Sequence, residues 1–437
     1  MINFLNKVEN ILFIYFIKLY WKLISKRYSK NSKGEIKLFF GTMPIINIKY
    51  WSKILSNSNF FSRTIVKINP YLINKKNDFD IYLENIIDYY KQKKIPNRFL
   101  LKFPLLFLFD YSLKRFNIFH LSFKGIGVLE KYGIDESKYI KLFGSKIIII
   151  PYGEDFLQYN KLDNYSLRHG LMTHYPKSIS EEEKIENNVK YWVKNCDVVI
   201  ASNILEGKYN WDLIPFVNLS LDIKKWQTKT KYSSNNGSNE VVKIAHCPNH
   251  RKIKGTDFII KSIEKLKSEN LKVKLFLIEG IPNDQLIDFL REEVDILVEQ
   301  LFSGYGLNGL EGLATGIPVV SNLPNNSRIN MFRRYSYLDE CPVISSNPEK
   351  LTDDLRVLIK NPDLRKQIGQ SGRIYAEKYH SEESAFFMFK NIYDKIWYGK
   401  DVDLMNLYNP LNPDSFNNQT SIVNNPLIYN CIPKKYY

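Results

Sequence analysis

The chain is expected to fold as two doubly wound α/β domains, and three observations lead there. Its 437 residues exceed one ordinary core, and 44% of them are hydrophobic, enough to build two. Short apolar runs alternate with longer amphipathic stretches, the pattern of parallel strands covered by helices. A polar segment, "KYSSNNGSNE" at 231–240, divides these units into two sets.

Residues 1–35 are expected to form an amphipathic helix. An apolar run from Ile11 to Ile17 lies between Glu9 and Lys18, too short to span a bilayer, and no small-residue cleavage site follows it. Phe4, Ile11, Ile14, Tyr15 and the stretch Lys18 to Lys22 combine aromatic and basic side chains at helical spacing. Such a face suits either a membrane interface or the surface of the first domain.

The first Rossmann-like domain, 36–230, takes its strands from "IKLFFGTMP", "FNIFHLSFKG", "SKIIIIPYGED", "CDVVIASN" and "WDLIPFVNLSL". Residues 231–240 are the linker. The second domain, 241–385, places strands at "VVKIAHCPN", "KVKLFLIEG", "VDILVEQLF" and "IPVVSN", with helices between them. A C-terminal helix over 386–400 is expected to pack back toward the first domain, ahead of an Asn- and Tyr-rich tail at 401–437. Ligands of open α/β sheets bind outside the carboxyl ends of the strands, so the expected site is a cleft between the two domains.

"GYGLNG" at 304–309 has the Gly-x-Gly-x-x-Gly form of a dinucleotide-binding turn. That reading needs an acid about 20 residues further on to hold a ribose, and "SNLPNNSRINMF" supplies none. Glu311 is the local alternative. About one turn into the helix that follows, it can accept two ribose hydroxyls while the N–H groups of Tyr305, Gly306 and Leu307 meet a phosphate. "HCPNHRKIKGT" at 246–256 brings Arg251 and Lys254 to a strand end, where two cations can neutralise a diphosphate.

These segments, with "LFLIEG", "VDILVEQLFSGYGLNGLEGLATGIPVVSN" and "GRIYAEKYHS", resemble the nucleotide-sugar-binding half of GT-B glycosyltransferases, especially retaining family 4. "LFFGTMPIINIKYWSKIL", "FNIFHLSF" and "PYGEDF" are similar, more faintly, to the first half of those enzymes. The resemblance covers most of residues 36–398. It implies sugar transfer from a nucleoside-diphosphate donor to a saccharide or polyisoprenyl-linked acceptor held by the first domain, in surface polysaccharide synthesis. In that family no enzyme nucleophile is required, and the acceptor attacks on the leaving group's face. The matched segments place Gly41, Thr42 and Gly153 at the acceptor side, and His246, Asn249, Glu279, Gly280, Gln300 and Ser303 beside the donor.

Three positions depart from the family pattern. The first of its two glutamates, which have seven residues between them, falls on Ser303, so contacts to the sugar ring pass to Gln300 or Glu299; Arg251 and Lys254 are separated by two residues instead of four; and Tyr152 stands where a histidine often precedes the glycine. Candidates to orient or deprotonate the acceptor hydroxyl are His120 and Asp155, each at a strand end. Either also reads as structural, His120 as a hydrogen-bonded strand residue and Asp155 as a helix N-cap.

Expulsion of a diphosphate is mainly electrostatic work, which Arg251, Lys254 and the helix start can perform without a metal or other cofactor. The Asp-x-Asp pairs at 78–80 and 401–403 lie at a helix start and in the tail. His246 and His250 flank Cys247, but Pro248 prevents the helix that would align the two rings on zinc. A net charge of +16 favours phosphorylated ligands and anionic membranes. Nucleic acid is not expected, because the 29 Tyr and 27 Phe are not interleaved with arginines on one face. Four widely spaced cysteines suit a reducing compartment, hence a cytoplasmic protein peripheral on the inner membrane face. The alternatives to transfer are a nucleotide-sugar epimerase of the same fold and a non-catalytic nucleotide-binding scaffold.

Overall fold

The structure, a computed structural model, describes residues 2–30, 34–67, 78–200, 219–281, 283–302, 304–323, 327–335, 338–416 and 422–437. It divides into two compact units, each built on its own parallel sheet.

The first unit comprises residues 1–156, 185–200 and 391–402. Its strands are β1 (Lys37–Thr42), β2 (Phe61–Val66), β3 (Ile81–Tyr82), β4 (Ile118–Leu121), β5 (Lys146–Ile149) and β6 (Val198–Val199). They lie in the order β3-β2-β1-β4-β5-β6, all parallel. This is the Rossmann order, which reverses direction between β1 and β4. Leu38, Phe39 and Phe40 of β1 and Ile118 and Phe119 of β4 are fully buried, as central strands covered on both faces must be. Gly41 is required for close approach: a Cβ there would lie 2.2 Å from the Ile65 carbonyl oxygen on β2.

The N-terminal helix runs Ile2–Ser25 and belongs to this unit. Ile17 and Trp21 are buried, Phe13 stacks on Phe99 and Phe103, and the Trp21 indole N–H donates to Asp110 at 3.0 Å. Of the face expected to be apolar, Ile11 and Tyr15 are exposed and Ile14 is half-buried, while the Phe4 side chain lies outside the described residues. Among the described residues no helix is long and apolar enough to cross a membrane.

The second unit comprises residues 157–184, 201–390 and 403–437. Its strands are β7 (Val242–His246), β8 (Val273–Leu277), β9 (Ile296–Val298), β10 (Val319–Ser321) and β11 (Ile344–Ser345), in the order β11-β10-β9-β7-β8 and all parallel. Read from β8, this is the flavodoxin-like order, with its switch point between β7 and β9. Ile244, Val298 and Val320 from the strands meet Ile259, Ile263, Leu355 and Leu358 from the covering helices.

Several boundaries differ from the sequence expectation. Residues 157–184 join the second unit, where the helix Tyr165–His174 packs on the turn after β7, with Gly170 close to the Lys252 carbonyl. The segment 231–240 is not a free linker. Arg365 donates to the carbonyl of Asn235 at 2.6 Å, Ser233 donates to Asp295 at 2.7 Å, and the Lys272 N–H donates to Gly237 at 2.7 Å. Two backbone carbonyls and the Ser233 hydroxyl tie it to the second unit, while several of its polar side chains stay exposed. Residues 391–402, the end of the helix expected over 386–400 and the first two residues of the tail, count with the first unit; the observed helix runs Glu382–Ile396. The tail adds Leu427 and Ile432 to the second core, and the Asn430 side chain donates to the carbonyls of Cys341 and Val343. The strand expected in "WDLIPFVNLSL" falls mostly outside the described residues.

Candidate functional site

The switch point of the second sheet gathers most of the residues expected to bind the donor. β7 leads through Cys247 to a one-turn helix, Arg251–Lys254, which Gly255 ends at φ +76°. β9 leads through Glu299 and Gln300 to the helix Leu307–Thr315, whose N-cap is Gly306. Both turns lie at strand carboxyl ends, where the topology opens a crevice.

Glu299 is the hub of this arrangement. Its carboxylate is buried, accepts the Gly306 N–H at 2.9 and 3.0 Å, and lies 3.2 Å from the Lys254 ammonium. Lys254 also donates to the Gln300 side-chain oxygen at 3.1 Å, and the Gln300 amide donates to the Gly304 carbonyl at 3.0 Å. Gly309 makes room for the carboxylate, since a Cβ there would sit 2.6 Å from a Glu299 oxygen. The Gly306 N–H expected to meet a phosphate is thus held by an internal carboxylate.

Arg251 is half-exposed and forms a two-pronged pair with Glu279, Nε to Oε1 at 2.9 Å and Nη2 to Oε2 at 2.6 Å. Hydrogen bonding to Glu279 raises the guanidinium pKa, and the partner carboxyl is lowered in return. Asn249 and Gly280 are exposed at the rim of the same turns, Gly280 at φ +68° with open space around it. Both cations assigned to the diphosphate therefore hold carboxylate partners that a ligand must displace or share.

Glu311 sits on the second turn of Leu307–Thr315 and is buried, accepting a hydrogen bond from the Asn308 amide at 3.3 Å. Burial, with a smaller contribution from the negative charge of Glu299, pushes its carboxyl up to about 8. Cys247 lies close enough for Glu311 and Asn308 to act on its thiol, which burial raises to about 12. The cluster Cys247, Asn308 and Glu311 thus joins the β7 turn to the helix one turn from its start.

Other expected contacts are occupied internally. His246 is buried, with Nδ1–H donating to the Val298 carbonyl at 2.7 Å and Nε2 accepting from Thr256 at 2.9 Å. Burial lowers its pKa to about 4, so it stays neutral and ties β7 to β9 and to the next helix. The Tyr305 hydroxyl is buried against Tyr375 at 3.0 Å and His380 at 2.9 Å, so its ring belongs to the core. Leu307 is half-buried as the first helical residue, and Ser303 lies outside the described residues.

In the first unit, the candidate acceptor bases prove to be braces. His120 is buried, its ring stacked on Phe40, with Nδ1–H donating to the Phe39 carbonyl at 3.0 Å and Nε2 accepting from Tyr393 at 2.9 Å. Burial lowers its pKa to about 3, which leaves no nitrogen to take a substrate proton near neutrality. Asp155 accepts three backbone N–H bonds, from Phe123 at 2.9 Å, Tyr152 at 3.0 Å and Gly153 at 3.1 Å. Burial outweighs those bonds and lifts its carboxyl to about 6, but both oxygens are spent pinning the loops after β4 and β5 together. It is not a helix N-cap, since the residues that follow it form a turn. Thr42 is buried and donates to the Gly125 carbonyl at 3.1 Å, and Gly153 adopts φ +130°.

Sequence reasoning named Glu299 only as a substitute sugar contact and did not foresee Asn308, Cys247 or the Tyr175–His250 contact. The Tyr175 hydroxyl lies 3.1 Å from the His250 ring, covering the turn that carries Arg251. The acidic residue five positions before the glycine turn was the available signal for Glu299.

No protein-family model matches the chain. It is 23% identical over 281 residues to an uncharacterized glycosyltransferase of Methanocaldococcus jannaschii, covering 62% of this chain and 72% of that protein. Among solved structures it is similar to sucrose-phosphate synthase of Thermosynechococcus elongatus, at TM-score 0.55 and 10% identity, covering 84% of this chain and all of the other. A glycosyltransferase of Rickettsia africae follows at TM-score 0.49 and 12% identity, over 84% of this chain and all of the other. With its two parallel-sheet α/β units and the likeness to the synthase, the chain has the two-domain GT-B fold.

Proposed function

We propose that the protein is a glycosyltransferase that takes a sugar from a nucleoside-diphosphate donor bound at the β7/β9 switch point. One observation carries this reading: the Arg251–Lys254 turn, the start of the helix Leu307–Thr315 and the buried Glu311 carboxyl all lie at the carboxyl ends of β7 and β9, next to each other in one sheet. A diphosphate needs the first two and a ribose diol the third. The curated relative described as a glycosyltransferase supports the same reaction class.

In this account Arg251 and Lys254 leave Glu279 and Glu299 to bind the diphosphate and hold it as charge grows on the leaving oxygen. Glu311 gives up its proton and accepts the ribose hydroxyls. Gln300 and Glu299 stand nearest the sugar, in place of the family glutamate that Ser303 replaces. The acceptor attacks on the leaving group's face with no covalent enzyme intermediate, so the anomeric configuration is retained. His120 and Asp155 take no part in proton transfer, and the acceptor proton passes to the departing phosphate oxygen. No metal is needed, because side chains meet the phosphate charge; turnover should survive excess EDTA.

The acceptor is a saccharide or a polyisoprenyl-linked glycan of surface polysaccharide synthesis, met by the first domain at the cytoplasmic membrane face. The test is to incubate the protein with a panel of nucleotide sugars, with and without lipid-linked glycan extracts, and to measure free nucleoside diphosphate. Release that depends on the acceptor supports transfer. Interconversion of the donor sugar without acceptor would mean an epimerase, and binding without either reaction a scaffold.

A further inference from the structure

The helix Ile2–Ser25 has a second apolar side that nothing within the described residues covers. Ile17 and Trp21 turn inward, and Phe13 packs against Phe99 and Phe103, which fixes the side facing the first core. Opposite them, Ile11 is 59% exposed, Leu12 62%, Tyr15 69%, Phe16 64% and Leu23 71%, with Val8 and Leu19 also exposed between them. At about 100° per residue these seven fall on one half of the helix circumference and run unbroken for about four turns. Scattered exposed apolar residues are ordinary on a protein surface, whereas a contiguous stripe marks a contact.

The charges beside the stripe are of one sign. Lys22, Lys26 and Arg27 are exposed and Lys18 partly so, while the one acid between residues 8 and 30, Glu9, is bound to Lys102 at 3.1 Å. The same contact brings up the short helix Asn97–Lys102, which adds the exposed Leu101 and Arg98 at that end. Basic side chains with long apolar stems can hold their charges at lipid headgroup level while the stripe sinks among acyl chains. A second copy of the helix would instead meet this row of cations with its own.

We infer that this face, Val8 to Leu23, is the docking surface for an anionic lipid bilayer, with the helix lying in the membrane plane. The stripe keeps Ile11, Tyr15 and Leu19 from the face read from the sequence and adds Leu12, Phe16 and Leu23, whereas Ile17 and Trp21 hold the helix on the protein. The helix thus needs no refolding to bind. This deepens the membrane part of the proposed function, but vesicle binding can be read without any donor or acceptor.

The experiment is flotation of the full chain with phosphatidylglycerol vesicles and with phosphatidylcholine vesicles, beside the triple variant Leu12→Asp/Phe16→Asp/Leu19→Asp. We expect binding to the anionic vesicles at least tenfold tighter than to the zwitterionic ones, weakening with salt, and at least a tenfold loss in the variant at an unchanged thermal midpoint. Lys22→Glu/Lys26→Glu should weaken anionic binding alone. Equal flotation of the triple variant and the wild type would overturn the assignment. So would a wild-type dimer in light scattering that the variant splits, if vesicles are not bound, since the occupant would then be a second copy. Vesicle binding without sugar transfer would leave this surface standing and count against the enzymatic reading only.

Discussion

The Glu299 carboxylate caps the helix Leu307–Thr315 through the Gly306 N–H and, at 3.2 Å, also holds Lys254, so one buried acid occupies the two groups best suited to bind phosphate. Before a ligand arrives it satisfies an orphan helix donor and a partly buried ammonium. Removing it strands both. Glu299→Ala should therefore destabilise the second unit by about 3 kcal/mol, visible as a lowered thermal midpoint, and a midpoint equal to wild type would mean that the pair contributes nothing.

With the donor placed as proposed, Glu311 should make nucleotide binding depend on pH. Burial pushes its carboxyl up to about 8, above the ordinary value of 4.5 that it has in an unfolded chain. The folded state then holds the extra proton between those values, so its burial costs stability progressively as pH rises from about 4.5 to 8. Ribose hydroxyls favour the ionised form, so nucleotide affinity should rise through the same upper limb and binding near neutrality should release a proton. Titration calorimetry in buffers of different ionisation enthalpy measures that proton directly. Glu311→Gln should bind at least ~10-fold more weakly and lose the pH dependence; retention of the dependence in this variant would assign it to another group.

Tyr393 and His120 separate a brace from a base. Tyr393→Phe removes the hydroxyl that donates to His120 Nε2 in a buried site, at a cost of about 1–2 kcal/mol. Turnover per folded molecule and its pH profile should not change. A loss of turnover with a shifted acid limb would return His120 to the chemistry.

Much of the fold was legible because its central strands are apolar runs. β1, β4, β5, β7, β8, β9 and β10 all lie where the apolar stretches were read. β2 was not foreseen, since "FSRTIV" mixes Ser62, Arg63 and Thr64 into a strand that is only partly covered at its start. β3 and β11 are two residues each, too short for any period to register. The placement of 157–184 with the second unit depends on long-range contacts such as that between the Asn164 amide and the Phe302 carbonyl, which no local pattern encodes.

In the candidate site, the placement of Arg251, Lys254 and Glu311 was legible, because each lies at a strand-end turn or near a helix start as read from the sequence. Histidine misled the reading. His120 and His246 end strands as catalytic residues often do, yet both rings are closed off by a carbonyl on one nitrogen and a hydroxyl on the other. Asp155 likewise spends its oxygens on backbone N–H groups, those of Tyr152 and Gly153 beside it and that of Phe123, remote in sequence. Burial and partners of this kind are set by tertiary packing, and a residue's place at a strand end does not reveal them.

The measurement that bears most directly on the donor site is titration of nucleoside diphosphates, and separately of their parent nucleosides, into the wild type and into Arg251→Ala. Arg251 is exposed and paired on the surface, so its loss should leave the thermal midpoint unchanged. The account predicts that diphosphate affinity falls by more than ~10-fold while nucleoside affinity stays the same, because only the phosphates use the guanidinium. Equal diphosphate affinity in the two proteins would contradict the placement of the donor at the β7/β9 switch point.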